Sequence, residues 1–244
     1  MKRAFVFVAS AVAFATTSVD AGVLGFSSFA YTASNGNIVI DVFAVMSNAS
    51  DRLLRIYDAN LTTTQGGSTP STYVQPAGTA SASVWEPVFS STRSNTVDSF
   101  LTFGVDGGGP YGGEYYASAV IITFPPNPNP FPPNGNQVLL NAGWFLSSST
   151  QPGNVAESMS GMTGTRTDSS AAAAGSNLGV WCAHLVIASG DFGARWWNAT
   201  AAAKDGVTGA TNTNTGTMQM YPVPAPGVLA LLGVAGFASR RRRA

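Results

Sequence analysis

Between residues 22 and 222, no stretch repeats apolar residues at the spacing of a helix. Short runs rich in Val, Ile, Phe, Tyr and Thr alternate with Gly, Pro, Asn and Ser instead. Runs of that length, punctuated that often, have room for strands and turns and little else. Residues 37–46 (NIVIDVFAVM) read as a buried strand entered through a hairpin turn at Ser34-Asn35-Gly36-Asn37. Residues 52–61, 97–105, 117–124, 137–146, 180–188, 194–203 and 217–221 make up the rest of the set. Within 97–105, Val97, Leu101, Phe103 and Val105 fall on one face, and Asp98, Phe100 and Thr102 on the other. Residues 125–133 (PPNPNPFPP) are extended polyproline and unfit for a sheet interior, while 167–177 (TDSSAAAAGSN) read as a small, polar, mobile loop. Neither interrupts the need for one shared core. The expectation is an all-β fold: a single β-sandwich over 22–222, jelly-roll-like or immunoglobulin-like.

The two ends differ from this body. Lys2 and Arg3 precede an apolar run over 4–15, and Val19 and Ala21 place small residues at −3 and −1 before Gly22. That three-part pattern is a Sec-type signal peptide, residues 1–21, with cleavage expected between Ala21 and Gly22. At the other end, residues 223–244 run VPAPGVLALLGVAGFASRRRRA. The apolar stretch 228–239 is shorter than the roughly 20 residues of a spanning helix. Arg240, Arg241, Arg242 and Arg243 would stay on the cytoplasmic side and halt translocation. Pro224 and Pro226 keep the outer side extended and open to a processing enzyme.

Val223, Pro224, Ala225 and Pro226, then Val228, Leu229, Leu231 and Leu232 in a hydrophobic sorting helix, then the arginines, resemble the PEP-CTERM sorting signal of bacterial exosortase substrates. Ala225 stands where that family usually has Glu. The resemblance covers the tail alone. It implies delivery to the cell envelope, cleavage near the motif, transient membrane contact, and association with exopolysaccharide or biofilm matrix. The expected partners are the Sec translocon, an exosortase and exopolysaccharide.

Charge and motifs bound the function. Six basic residues against eleven acidic ones leave 22–222 at about −5, which speaks against nucleic-acid binding. The single cysteine, Cys182, rules out an intramolecular disulfide. His184, the only histidine, lies two residues from Cys182, so regular alternation puts both on one face of a strand. A Cys/His dyad there would lack an orienting group, and zinc would lack ligands, so both are expected as packing residues. No nucleophile elbow, phosphate loop or zinc-protease motif occurs. No cofactor is expected. Calcium is the one metal with a foothold, at Asp106 before Gly107–Gly109 with Asp98 and Glu114 near in sequence, but the spacing is not that of a calcium loop.

The aromatics carry the functional hint. Trp196 and Trp197, adjacent on a strand, must point to opposite faces, so one is expected in the core and the other exposed, and either is a candidate for stacking on a glycan. Three readings stand. The first is an exported structural or adhesive protein of the envelope or extracellular matrix, not an enzyme. The others are a carbohydrate-binding module that holds exopolysaccharide and a secreted glycoside hydrolase built on paired carboxylates. Replacing Arg240 to Arg243 by Gln should impair retention and processing of the tail. Immunoblots of cell and medium fractions check this, and an unchanged processing pattern would count against a sorting signal.

Overall fold

The computed structural model of the chain describes residues 22–75, 85, 93–104, 121–123, 135–138, 140–145, 155–191 and 193–221. The sorting tail, Ala21, residues 105–120 and the polyproline segment lie outside them. The fold is all-β. One antiparallel sheet, sheet A, has the order β4-β9-β2-β1-β8, from Phe100–Leu101, Leu178–Ile187, Ile38–Met46, Val23–Thr32 and Thr165–Asp168. A short β7, Glu157–Ser158, also pairs with β9. The other, sheet B, runs β11-β10-β3-β6-β5, from Thr211–Tyr221, Arg195–Lys204, Arg52–Thr62, Ala142–Phe145 and Ile121–Thr123. β2 pairs β9 in sheet A, and their successors β3 and β10 pair in sheet B. The two crossings therefore tie the sheets together at the same place.

The inner faces share one apolar core. Phe26, Ile40, Val42, Leu185 and Ile187 from sheet A meet Leu53, Ile56, Trp144, Trp197, Ala199 and Met218 from sheet B. Trp197 sits at its centre, 5.3 Å from the Phe26 ring and 6.0 Å from Trp144. Gly216 makes room opposite them: a Cβ there would lie 2.7 Å from Phe26. The expected turn at residues 34–37 joins β1 to β2, with Gly36 at φ +83°, a conformation glycine adopts without strain.

A second apolar layer covers the outer face of sheet A. Phe29, Phe43, Val45, Phe100 and Trp181 pack there with Met159 and Ala173. Every residue of β2 is consequently buried. Ala173 belongs to a four-residue helix, α1 (Ala171–Ala174), capped by the Ser170 hydroxyl. The stretch expected as a loop at 167–177 thus holds the end of β8 and this helix. The Arg166 guanidinium fastens it by donating to the Ala173 and Ser176 carbonyls, both at 2.8 Å. β1 was not among the strand runs read from sequence, since most of its side chains are buried and show no alternation. β11 begins at Thr211 rather than 217, and Val97, grouped by alternation with the buried Leu101 and Phe103, is 58% exposed.

Trp197→Ala should lower unfolding stability by roughly 3–5 kcal/mol, the usual cost of emptying a buried aromatic site. Urea denaturation measures it; a loss under about 1 kcal/mol would mean the ring is not the core element its packing indicates.

Candidate functional site

Among the described residues, two places that gather polar chemistry differ in access: one is closed and the other is open to solvent. The closed one lies on the outer face of sheet A. Asp41 on β2 stands directly across from His184 on β9, and His184 from Phe100 on β4. The His184 Nδ1 lies 2.7 Å from Asp41 Oδ1, and its Nε2 lies 2.8 Å from the Asn95 carbonyl. Arg93 donates to Asp41 Oδ2 at 3.0 Å. The imidazole stacks on Phe100, with ring centres 4.8 Å apart, and meets Trp181 edge-on. Asp41 and His184 are wholly buried. Both ring nitrogens face acceptors, so neither is available to a substrate. An Asp–His pair of catalytic spacing is here a clamp that holds residues 93–101 on the sheet.

Cys182 is not part of it. The pairing of β2 with β9 slips between Val42 and Phe43, which face Ala183 and Trp181 and leave Cys182 as an extra residue. This bulge interrupts the alternation. Cys182 and Ala183 both point into the inner core, while His184 points out. The expectation that Cys182 and His184 share a face is therefore corrected by one inserted residue. The thiol donates to the Val42 carbonyl, and burial pushes its pKa well up, away from a reactive thiolate. The Cys182 carbonyl accepts from Thr102 N–H, one step beyond the β4–β9 pairs, and from the Trp144 indole across the core.

The open place is the outer face of sheet B. Trp196, Asn198, Thr200 and Lys204 point outward from β10, as the buried positions between them require. Their neighbours on β11 are Gln219, Thr217, Thr215 and Thr211, and on β3 Thr62, Asn60, Tyr57 and Arg52. Thr213 faces outward beside Ala202. Hydroxyls and amides thus fill the middle of the face at strand spacing, roughly 4.8 Å across and 6.8 Å along. The Thr200 and Thr215 hydroxyls are hydrogen-bonded at 2.8 Å. Trp196 is half-buried toward one end, and Arg55 lies 4.7 Å over the Tyr57 ring. At the far end, an open cleft of about 500 Å³ is lined by Ser50, Arg52, Lys204, Asp205 and Thr208. The Thr208 and Val207 N–H groups hold the Asp205 carboxyl below its usual pKa.

The five tryptophans sort cleanly. Trp85, Trp144, Trp181 and Trp197 are fully buried, and Trp196 alone reaches the surface. Trp197, the second glycan candidate, is corrected to a core residue, since no ligand reaches it without opening the sheets. Asn60 and Asn198, which no sequence motif singled out as a pair, are brought together across β3 and β10 beside Tyr57 and Trp196. The Thr-x-Thr-x-Thr-x-Thr spacing from Thr211 to Thr217 was the available signal for the rest of the face. Asp106 and Glu114 of the suggested calcium stretch lie outside the described residues. Among the described residues, no three His, Cys, Asp or Glu side chains come together as metal ligands. The motif, helix and arginines of the tail also lie outside, while Gly22 is tied to Ser47 through its N–H and its carbonyl.

Asp98 lies near the buried clamp, within electrostatic reach of His184. Burial raises its pKa to about 6, against a smaller lowering by His184, and its Oδ1 has no hydrogen-bond partner. A carboxyl raised on folding binds its proton more tightly in the native state. Stability contributed this way is complete at low pH and is lost as pH rises from about 4 to about 6. Asp98→Asn should remove that slope and raise stability at pH 7 by roughly 1–2 kcal/mol. Urea titrations of both proteins between pH 4 and 7 test this, and parallel pH curves would refute it. No family model matches this sequence, and neither the curated proteins nor the solved structures match it.

Proposed function

We propose that this chain is an exported, sorted protein of the cell envelope or extracellular matrix, structural and adhesive in role, whose adhesive surface is the outer face of sheet B. The observation that carries the adhesive part is that face itself. It holds Thr200, Thr211, Thr213, Thr215, Thr217, Asn60, Asn198 and Gln219, together with Trp196 and Tyr57. Hydroxyl and amide groups there can exchange hydrogen bonds with sugar hydroxyls, and an aromatic face can stack on the apolar side of a sugar ring. The signal peptide and PEP-CTERM-like tail read from the sequence support export and sorting. Exopolysaccharide is the partner this surface suits.

We read the finer architecture as an immunoglobulin-like sandwich. Interlocked pairing of β2 with β9 and β3 with β10 supports this, as do the orders β4-β9-β2-β1 and β11-β10-β3. They correspond to strands D-E-B-A and G-F-C of that fold. In such a scaffold, function rests on a surface rather than on the fold itself.

Full-length protein should bind the producing organism's own exopolysaccharide saturably, and Trp196→Ala should weaken binding about tenfold, as loss of one stacking contact implies. Trp196 is outside the core, so the variant should keep its unfolding midpoint. Absence of binding, or equal binding by the variant, would turn the search toward protein partners.

A further inference from the structure

Within the described residues, three of the four sheet edges are cut short. β4, β8 and β5 end their sheets with two, four and three residues. The fourth edge, β11, runs for 11 residues, TNTNTGTMQMY. Long edges are normally guarded by charge, proline or a covering element, because their unpaired main chain invites another strand. β11 contains no proline and no charged residue. Its one irregularity is at Met220, left over where Arg195 faces Tyr221 and Trp196 faces Gln219.

The direction of its free groups can be read from the adjoining turn. Asp205 N–H donates to the Ala210 carbonyl at 2.8 Å, so Ala210 turns its main chain toward β10. Antiparallel alternation then turns Asn212, Asn214, Gly216 and Met218 to β10, and Thr211, Thr213, Thr215 and Thr217 to the open edge. Thr211, Thr213 and Thr215 are exposed. No strand among the described residues pairs with that side.

We propose that β11 is the seam of a two-fold homodimer, in which it pairs antiparallel with β11 of a second copy. The strand is its own complement. Residues 211–219 precede the irregularity, and their midpoint is Thr215. A two-fold there sets Thr215 against Thr215 of the partner subunit. Thr213 meets Thr217 of the partner subunit, and Thr211 meets Gln219 of the partner subunit. All the outward pairs are uncharged and able to hydrogen-bond, and Thr–Thr pairs are favourable across strands. A two-fold closes the assembly as a dimer and joins the two sheets B into one broader surface. This inference stands on the edge and does not need the glycan reading.

Sedimentation velocity on the full-length chain, in detergent and over a hundredfold concentration range, tests it. Wild type should sediment as a concentration-dependent dimer. Thr215→Lys and Thr215→Glu should each be monomeric, because like charges then face each other at the axis. An equimolar mixture of the two variants should dimerise again, which also shows that both are folded. A monomeric wild type overturns the proposal. So does association that survives both substitutions, since it then runs through another surface such as the apolar tail. Failure of the mixture to reassociate overturns the register about Thr215.

Discussion

A carboxylate on a strand buried on both faces sets much of the layout. Asp41 sits in the middle of β2, none of whose side chains reaches solvent. An ionised carboxylate taken out of water is tolerated only with charge and hydrogen-bond partners around it. His184 supplies one from the neighbouring strand, and Arg93 supplies another from beyond the sheet. Arg93 and Asn95 belong to the segment that leads into Phe100, so satisfying Asp41 also lowers that segment onto sheet A. The second apolar layer follows from the same requirement. Without Phe100, Trp181 and the residues around Met159 over it, β2 would be half wet and its charge cluster screened.

The bulge at Cys182 distributes these roles. A regular β9 would place Cys182 and His184 side by side and leave the sulfur near the charge cluster. One inserted residue sends the thiol inward and the imidazole outward. The Cys182 carbonyl also accepts from the Trp144 indole of the opposite sheet, which links the two layers at the bulge. This division also separates structure from function. The titratable groups that resemble a catalytic set are sealed within sheet A, whereas the accessible face of sheet B carries hydroxyls, amides and one accessible indole.

Sheet B owes its open face to a mostly polar outer side, with Trp196 and Tyr57 as its large aromatic side chains. β10 alternates buried and half-exposed positions from Arg195 to Thr200, and β11 does the same from Gly216 to Tyr221. Sheet A, with buried Phe and Trp residues on its outer side, must be covered. The two sheets are therefore unequal: one is a concealed support and the other a surface.

Strand content, the hairpin before β2, the opposite facing of Trp196 and Trp197, and the split of Leu101 and Phe103 from Phe100 were all legible in the sequence. Each depends on local turn chemistry or on a period of two along a single strand. The composition likewise ruled out an intramolecular disulfide, since the chain has a single cysteine. Tertiary structure alone decided which face of each strand is wet, because that depends on what packs above it. It also placed Asp41 beside His184, 143 positions away. It put the bulge at Cys182, where pairing with β2 and packing against Trp144 outweigh regular alternation. It assigned Trp197 to the core and Trp196 to the surface, since two adjacent indoles are equivalent until a second sheet approaches one side of the strand.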